Sequence, residues 1–215
     1  MTDLSQLKQH VIDGDEEAAV ALTREAIAAG CTPAVIFKEA LYCAMDEVGR
    51  RMQCQEYFLP EVLLSARTMQ ACAAVVRPLI VSGPELAPVG KAVVCTVAGD
   101  LHDIGKNLVC LMLEGAGFSV IDLGHDCPPE RLVAAVQEHQ PQVVGLSAML
   151  TTTMLNMKRA LHALTAAGLR DRVHIMVGGA PVDAKFAREI GADFFGEDAP
   201  AGSAHARHHV TAAAS

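Results

Sequence analysis

The sequence predicts two units of different class, an N-terminal four-helix bundle followed by a doubly wound α/β domain on a five-stranded parallel sheet. Three observations predict it. Up to about residue 80 the apolar residues recur only at helical spacing. Residues 81–90 then hold two Pro and two Gly with no period, which marks a linker. Beyond Gly90, short Val- and Ile-rich runs alternate with helix-length segments, the pattern of a parallel sheet covered on both faces.

Each element has its own signal. Leu4, Leu7 and Val11 carry a first helix, which Asp13-Gly14-Asp15 breaks. A second helix runs from Glu16 to Ala29 and stops at Gly30. Thr32 is placed to cap a third, with Pro33 at its first position, reaching about Met52. Tyr57-Phe58-Leu59-Pro60 opens a fourth, whose apolar stripe includes Val62, Leu63, Ala66, Met69, Ala73 and Val76. Strands are expected over Lys91–Val97, Phe118–Leu123, Val143–Leu146, Val173–Val177 and Ala192–Phe195. Helices are expected over Asp103–Gly115, Pro129–His139, Thr153–Ala167 and Ala184–Ile190. The resulting domains are 1–80, a linker at 81–90, and 91–200. Residues 201–215 are small and polar without hydrophobic periodicity, and read as a disordered tail despite His205, His208 and His209.

Composition narrows the function. Hydrophobic residues make up 51%, enough for a real core, while aromatics are 4% with no Trp, so Ala, Val, Leu, Ile and Met must pack it. A formal net charge of −8 argues against nucleic acid as a partner. The seven Cys have no CxxC spacing and read as free thiols in a reducing compartment. No apolar run approaches the roughly 20 residues that span a bilayer, and Met1–Asp13 is too polar for a signal peptide, so a cytoplasmic location without membrane attachment is expected.

Chemistry collects in three loops that follow strands and share one sheet edge: residues 99–107, 147–153 and 178–180. Asp100 and His102 stand two apart. One imidazole nitrogen can ligate a metal while the other donates to the carboxylate. A single His suits an axial position on a metal already held by a macrocycle, but an Asp–His couple also serves acid–base chemistry. Gly99 and Gly105 allow close backbone approach. The loop is neither a GxGxxG fingerprint nor a Walker A loop, although Lys106 follows Gly105. Ser147 and the threonines at 151–153 offer hydroxyls, and Thr152 or Thr153 could instead cap the next helix. Gly178-Gly179 leaves room for a bulky planar ligand or makes an ordinary turn.

Taken together, Asp100-x-His102-x-x-Gly105, then 41 residues, Ser147-x-Met149, then 28 residues, and Gly178-Gly179 closely resemble the cobalamin-binding signature. That signature belongs to the B12-binding module of methionine synthase and to the small corrinoid proteins of methyltransferase systems. Met149 replaces the usual Leu. The resemblance covers nearly the whole chain. It implies a flavodoxin-like B12-binding domain preceded by a helical cap.

The resemblance also implies roles. Cobalamin, as methylcobalamin and cob(I)alamin, would bind with its own base displaced and His102 as the lower ligand to cobalt. Asp100 would bond His102, and Thr153 would extend that relay. Gly99, Leu101, Asp103, Ile104 and Gly105 would surround the lower face. Ser147, Gly178 and Gly179 would line the channel for the nucleotide tail, with Thr151 near the tail, Met149 among the cofactor contacts, and Gly196 and Glu197 closing over the nucleotide. Met52, Leu59 and Val62 would shield the upper face.

The chain would carry a methyl group to an acceptor such as tetrahydrofolate or a thiol, as one subunit rather than a complete enzyme. Its partners would be a substrate-specific methyltransferase, an acceptor methyltransferase and a reductive activase. A cobalamin-dependent sensor is the main alternative. A mutase subunit and a plain flavodoxin-like protein are further ones.

Overall fold

A computed structural model describes residues 4–79 and 87–213. Two compact units separate at Pro88 and Val89. Most of the expected linker, residues 81–86, lies outside the described residues.

The first unit is helical: α1 (Ser5–Asp13), α2 (Glu16–Ala28), α3 (Pro33–Ile36), α4 (Tyr42–Gln53) and α5 (Leu59–Val76). Asp15 and Thr32 cap α2 and α3 by accepting from the Ala18 and Val35 amides. Gly14 ends α1 at φ +74°, where a Cβ would stand 2.8 Å from Leu64 Cβ, so only Gly fits that turn. The carbonyl of Ile12, left over at the end of α1, accepts from the hydroxyls of Ser65 (2.6 Å) and Tyr57 (3.2 Å). The third expected helix is continuous but contains a π turn over Phe37–Leu41 between α3 and α4. Phe37, Ala40 and Leu41 are all buried there, so packing holds the wider turn.

The second unit alternates β1 (Lys91–Thr96), α6 (Ile104–Gly115), β2 (Ser119–Asp122), α7 (Pro129–His139), β3 (Val143–Ser147), α8 (Thr151–Ala166), β4 (His174–Gly178), α9 (Ala184–Ile190), β5 (Phe194–Gly196) and α10 (Ala199–Ala213). All strand pairs are parallel and the order is β2-β1-β3-β4-β5. The central strands β1, β3 and β4 are almost wholly buried, which explains why they read as continuous apolar runs. Val93, Cys95, Val144, Leu146 and Ile175 pack with Leu132, Met157, Leu161 and Leu164 in one core cluster. The chain leaves β1 toward β2 on one side and β3 lies on the other. The carboxyl ends of β1 and β3 therefore flank the switch point where such sheets hold ligands.

The expected disordered tail is corrected. Ala199–Ala213 is a helix. Asp198 caps it through the Ala201 amide (2.7 Å), and buried Ser203 donates to the Met112 carbonyl (2.9 Å). His174 at the start of β4 stacks on both His205 and His209, and Phe194 stacks on His205 at 3.7 Å between centroids. Helix α10 is thus held by Ala, Gly, Ser and imidazole faces, which leave no apolar period to read.

That packing makes the unit acid-sensitive. Burial, and then neighbouring imidazoles, hold His174 and His205 below the ordinary histidine range, with Asp193 partly offsetting this at His174. Both are neutral in the fold. Their contribution is complete above the unfolded value of about 6.5 and is lost as pH falls through it toward the folded values. The thermal midpoint should fall between pH 7 and 5, by about 2–4 °C per kcal/mol lost. His174→Gln should flatten that dependence.

Candidate functional site

The loop after β1 is organised by one carboxylate. Asp100 is fully buried and accepts four hydrogen bonds. Its Oδ1 accepts from the His102 amide (3.1 Å) and lies 2.8 Å from His102 Nδ1. Its Oδ2 accepts from the Met149 amide (2.8 Å) and the Thr153 hydroxyl (2.5 Å). Burial alone would push this carboxyl up. The bonds from Thr153, Met149 and His102 outweigh it and hold Asp100 well below the usual carboxylate range. Asp100 is therefore a permanent acceptor at physiological pH, and a carboxylate can only accept.

The consequence for His102 is a fixed tautomer. In the neutral ring, Nδ1 carries the proton that faces Asp100, and Nε2 keeps its lone pair. No described residue bonds Nε2, and the side chain is 55% exposed. Thr96 holds the His102 backbone by donating to its carbonyl at 3.0 Å.

Around His102 the surface is apolar. Leu101, Ile104, Met149 and Leu150 are large, exposed side chains in the two loops that Asp100 ties together. Gly105, in the first turn of α6, has open space where a Cβ would stand. Among the described residues no cluster of three or more His, Cys, Asp or Glu could hold an ion directly. One free imidazole nitrogen, an apolar rim and an unfilled glycine face fit a flat macrocycle that brings its own metal.

The other expected residues fall as follows. Thr153 is buried and serves Asp100 rather than capping α8, because its hydroxyl donates. Thr151 is exposed at the start of α8. Ser147 ends β3 half-buried, with no described partner for its hydroxyl. Gly178 pairs with Ser147 on one side and Gly196 on the other. Asp103 is half-buried and Glu197 exposed.

Gly179 departs from the expectation of free space. At φ +122°, its Cβ would lie 1.9 Å from the Ala148 carbonyl oxygen, so the chain itself takes the room. In the helical unit, Met52 and Leu59 are half-buried, but Val62 is fully buried, in phase with Ala66, Met69, Ala73 and Val76.

Sequence reading missed a support from the end of β2. The Lys106 ammonium is buried at the start of α6 and pairs with Asp122 at the end of β2 and with Asn107 (2.5 Å). Lys beside a glycine suggested only a phosphate loop, and the partner 16 residues away gives no local signal.

Comparison with known proteins decides the family. The B12 binding domain model matches residues 90–204, and a second B12 binding domain model matches residues 4–77. The chain belongs to the B12-binding corrinoid proteins. The trimethylamine corrinoid protein of Methanosarcina barkeri is 41% identical over 197 residues, 91% of each chain. A solved cobalamin-binding protein from Desulfitobacterium hafniense DCB-2 matches with TM-score 0.81 and 34% identity, covering 97% of this chain and 98% of that one. The methanol:cobalamin methyltransferase complex of Methanosarcina barkeri matches with TM-score 0.86 and 30% identity, covering 95% of this chain and 78% of that one. Cobalamin, with its cobalt, is the cofactor of this corrinoid protein. Among the described residues no helix is long and apolar enough to cross a membrane.

The glycine pair of this corrinoid protein separates two effects. Gly179→Ala must displace the Ala148 carbonyl and should destabilise the α/β unit by at least about 3 kcal/mol. Gly178→Ala meets only the Gly196 carbonyl, at 3.1 Å, and should cost clearly less. Urea unfolding of both variants checks the order.

Proposed function

We propose that this corrinoid protein carries a methyl group between partner enzymes, with His102 as the lower axial ligand of cobalt and the cofactor's own base displaced. One observation carries the reading. The buried, ionised Asp100 fixes the proton on His102 Nδ1 and leaves Nε2 free on an exposed apolar surface. When bound, cobalamin supplies the chemistry of accepting and releasing the methyl group. His102 holds the metal, Asp100 and Thr153 orient His102, and Leu101, Ile104 and Met149 keep water from the lower face. Ser147, Thr151, the backbone at Gly178 and Gly179, and Gly196-Glu197 are the proposed contacts of the nucleotide tail.

The donor class follows from the kinship. Relatives named for trimethylamine and for methanol support a small methylated amine or alcohol, delivered by a substrate-specific methyltransferase. Tetrahydrofolate or a thiol is the proposed acceptor, reached through a second methyltransferase, with a reductive activase restoring the cofactor. The helical unit is the proposed cover of the upper face, through Met52, Leu59 and Val62.

Reconstitution with methylcobalamin tests the ligand. Wild type should bind one corrinoid per chain, with a spectrum that shifts in His102→Gly, and the variant should bind more weakly. Asp100→Asn should be milder, within the roughly 10–100-fold that changes beside a metal ligand cost. An amide can accept through only one oxygen, so two of the four donors lose their partner. Stoichiometric corrinoid with identical wild-type and His102→Gly spectra would refute His102 as the ligand.

A further inference from the structure

The peptide chain leading into His102 is gripped from outside by residues that the cobalamin signature does not contain. The peptide unit joining Ala98 and Gly99 is bound at both ends. The Ala98 carbonyl accepts from the Asn156 side chain on α8 (2.7 Å), and the Gly99 amide donates to Oδ1 of Asp126 (2.7 Å). Asp126 also donates its own amide to the Asp100 carbonyl at 2.9 Å. Asp126 therefore clasps the loop on both sides of the Asp100 amide, once as acceptor and once as donor. It does so from the β2–α7 loop in the left-handed conformation, φ +49°, which Asp, Asn and Gly tolerate better than other residues.

We infer that Asp126 is a positioning residue for the His102 ligand, acting through Gly99 and Asp100. The inference rests on the reading of His102 as the cobalt ligand and adds a residue 24 positions away from it. Asp100 can receive its four donors only if its carboxylate stands in one place. That place is set by the peptide groups on either side of it, which Asp126 fixes. Losing the side-chain bond to Gly99 frees the turn at Gly99, whose φ of +78° leaves it conformationally loose. The Asp100 carboxylate then drifts, and the imidazole with it. A small misplacement suffices, because metal ligation and the bond to Nδ1 both depend on ring orientation. Asn156 holds the other end of the same peptide unit, and Arg159 in turn donates to Asn156 at 2.9 Å.

Two variants isolate the side chain from the backbone. Asp126→Gly removes the acceptor and keeps a residue at home at positive φ. Asp126→Asn keeps an oxygen acceptor and also tolerates that conformation. Each is loaded with cobinamide, a corrinoid without its own lower base, and reduced to cobalt(II). Any axial nitrogen in the paramagnetic resonance spectrum then comes from the protein.

Asp126→Gly should lower the ratio of nitrogen-ligated to unligated cobalt by about 3- to 10-fold, somewhat less than the roughly 10–100-fold loss for a direct partner of the ligand. Asp126→Asn should restore it to near wild type. Without cofactor, nitrogen NMR of the His102 ring should show a mixed tautomer in Asp126→Gly and a single Nδ1–H tautomer in wild type and Asp126→Asn. Unchanged ligation and tautomer in Asp126→Gly would overturn the inference while leaving His102 as ligand. Wild-type cobinamide protein without axial nitrogen would instead defeat the ligand reading. The tautomer comparison would then still decide whether Asp126 positions the ring.

Discussion

A buried charge with every acceptor position in use sets the terms for the rest of the site. Taking a carboxylate out of water is costly unless hydrogen bonds replace the lost solvation. Asp100 meets that condition with two backbone amides, a hydroxyl and an imidazole drawn from two loops. Because all four partners are needed, the loops after β1 and β3 cannot move independently. Because a carboxylate can only accept, the imidazole has no choice of tautomer. Ligand basicity, ring direction and loop geometry are thus consequences of one desolvated group.

The parallel sheet makes this arrangement reachable. β1 and β3 are neighbours in register, Thr96 opposite Ser147, so the loops that leave them start side by side. Gly179 lets the turn after β4 press onto Ala148, which seats the loop that delivers Met149 and Thr153. On the other side, Lys106 and Asp122 tie the start of α6 to the end of β2, and removing the exposed Asp122 would leave the buried Lys106 ammonium without its charge partner. The apolar rim of Leu101, Ile104, Met149 and Leu150 has no place in a core and is explained by a flat cofactor.

Much of this was legible in the sequence, and the exceptions share a cause. The strands and helices of the α/β unit follow hydrophobic period, and their ends fall within a residue or two of expectation. The spacing of Asp100, His102, Ser147 and the glycines resembles the cobalamin-binding signature, and the family that this resemblance implies is the one to which the chain belongs. Helix α10 was hidden because it packs through small residues and the faces of His205 and His209 rather than a stripe of Leu and Val. Asp122, Asp126 and Asn156 act across folds of the chain, on partners 16 to 58 residues away, and no local pattern announces such pairs.

The imidazole tautomer of the cofactor-free protein tests the central claim most directly. In the neutral ring, nitrogen NMR should place the His102 proton on Nδ1 and leave Nε2 unprotonated, and Asp100→Asn should disturb that preference. A His102 ring carrying its proton on Nε2 would contradict the account, since a metal could not then meet the nitrogen that Asp100 leaves open.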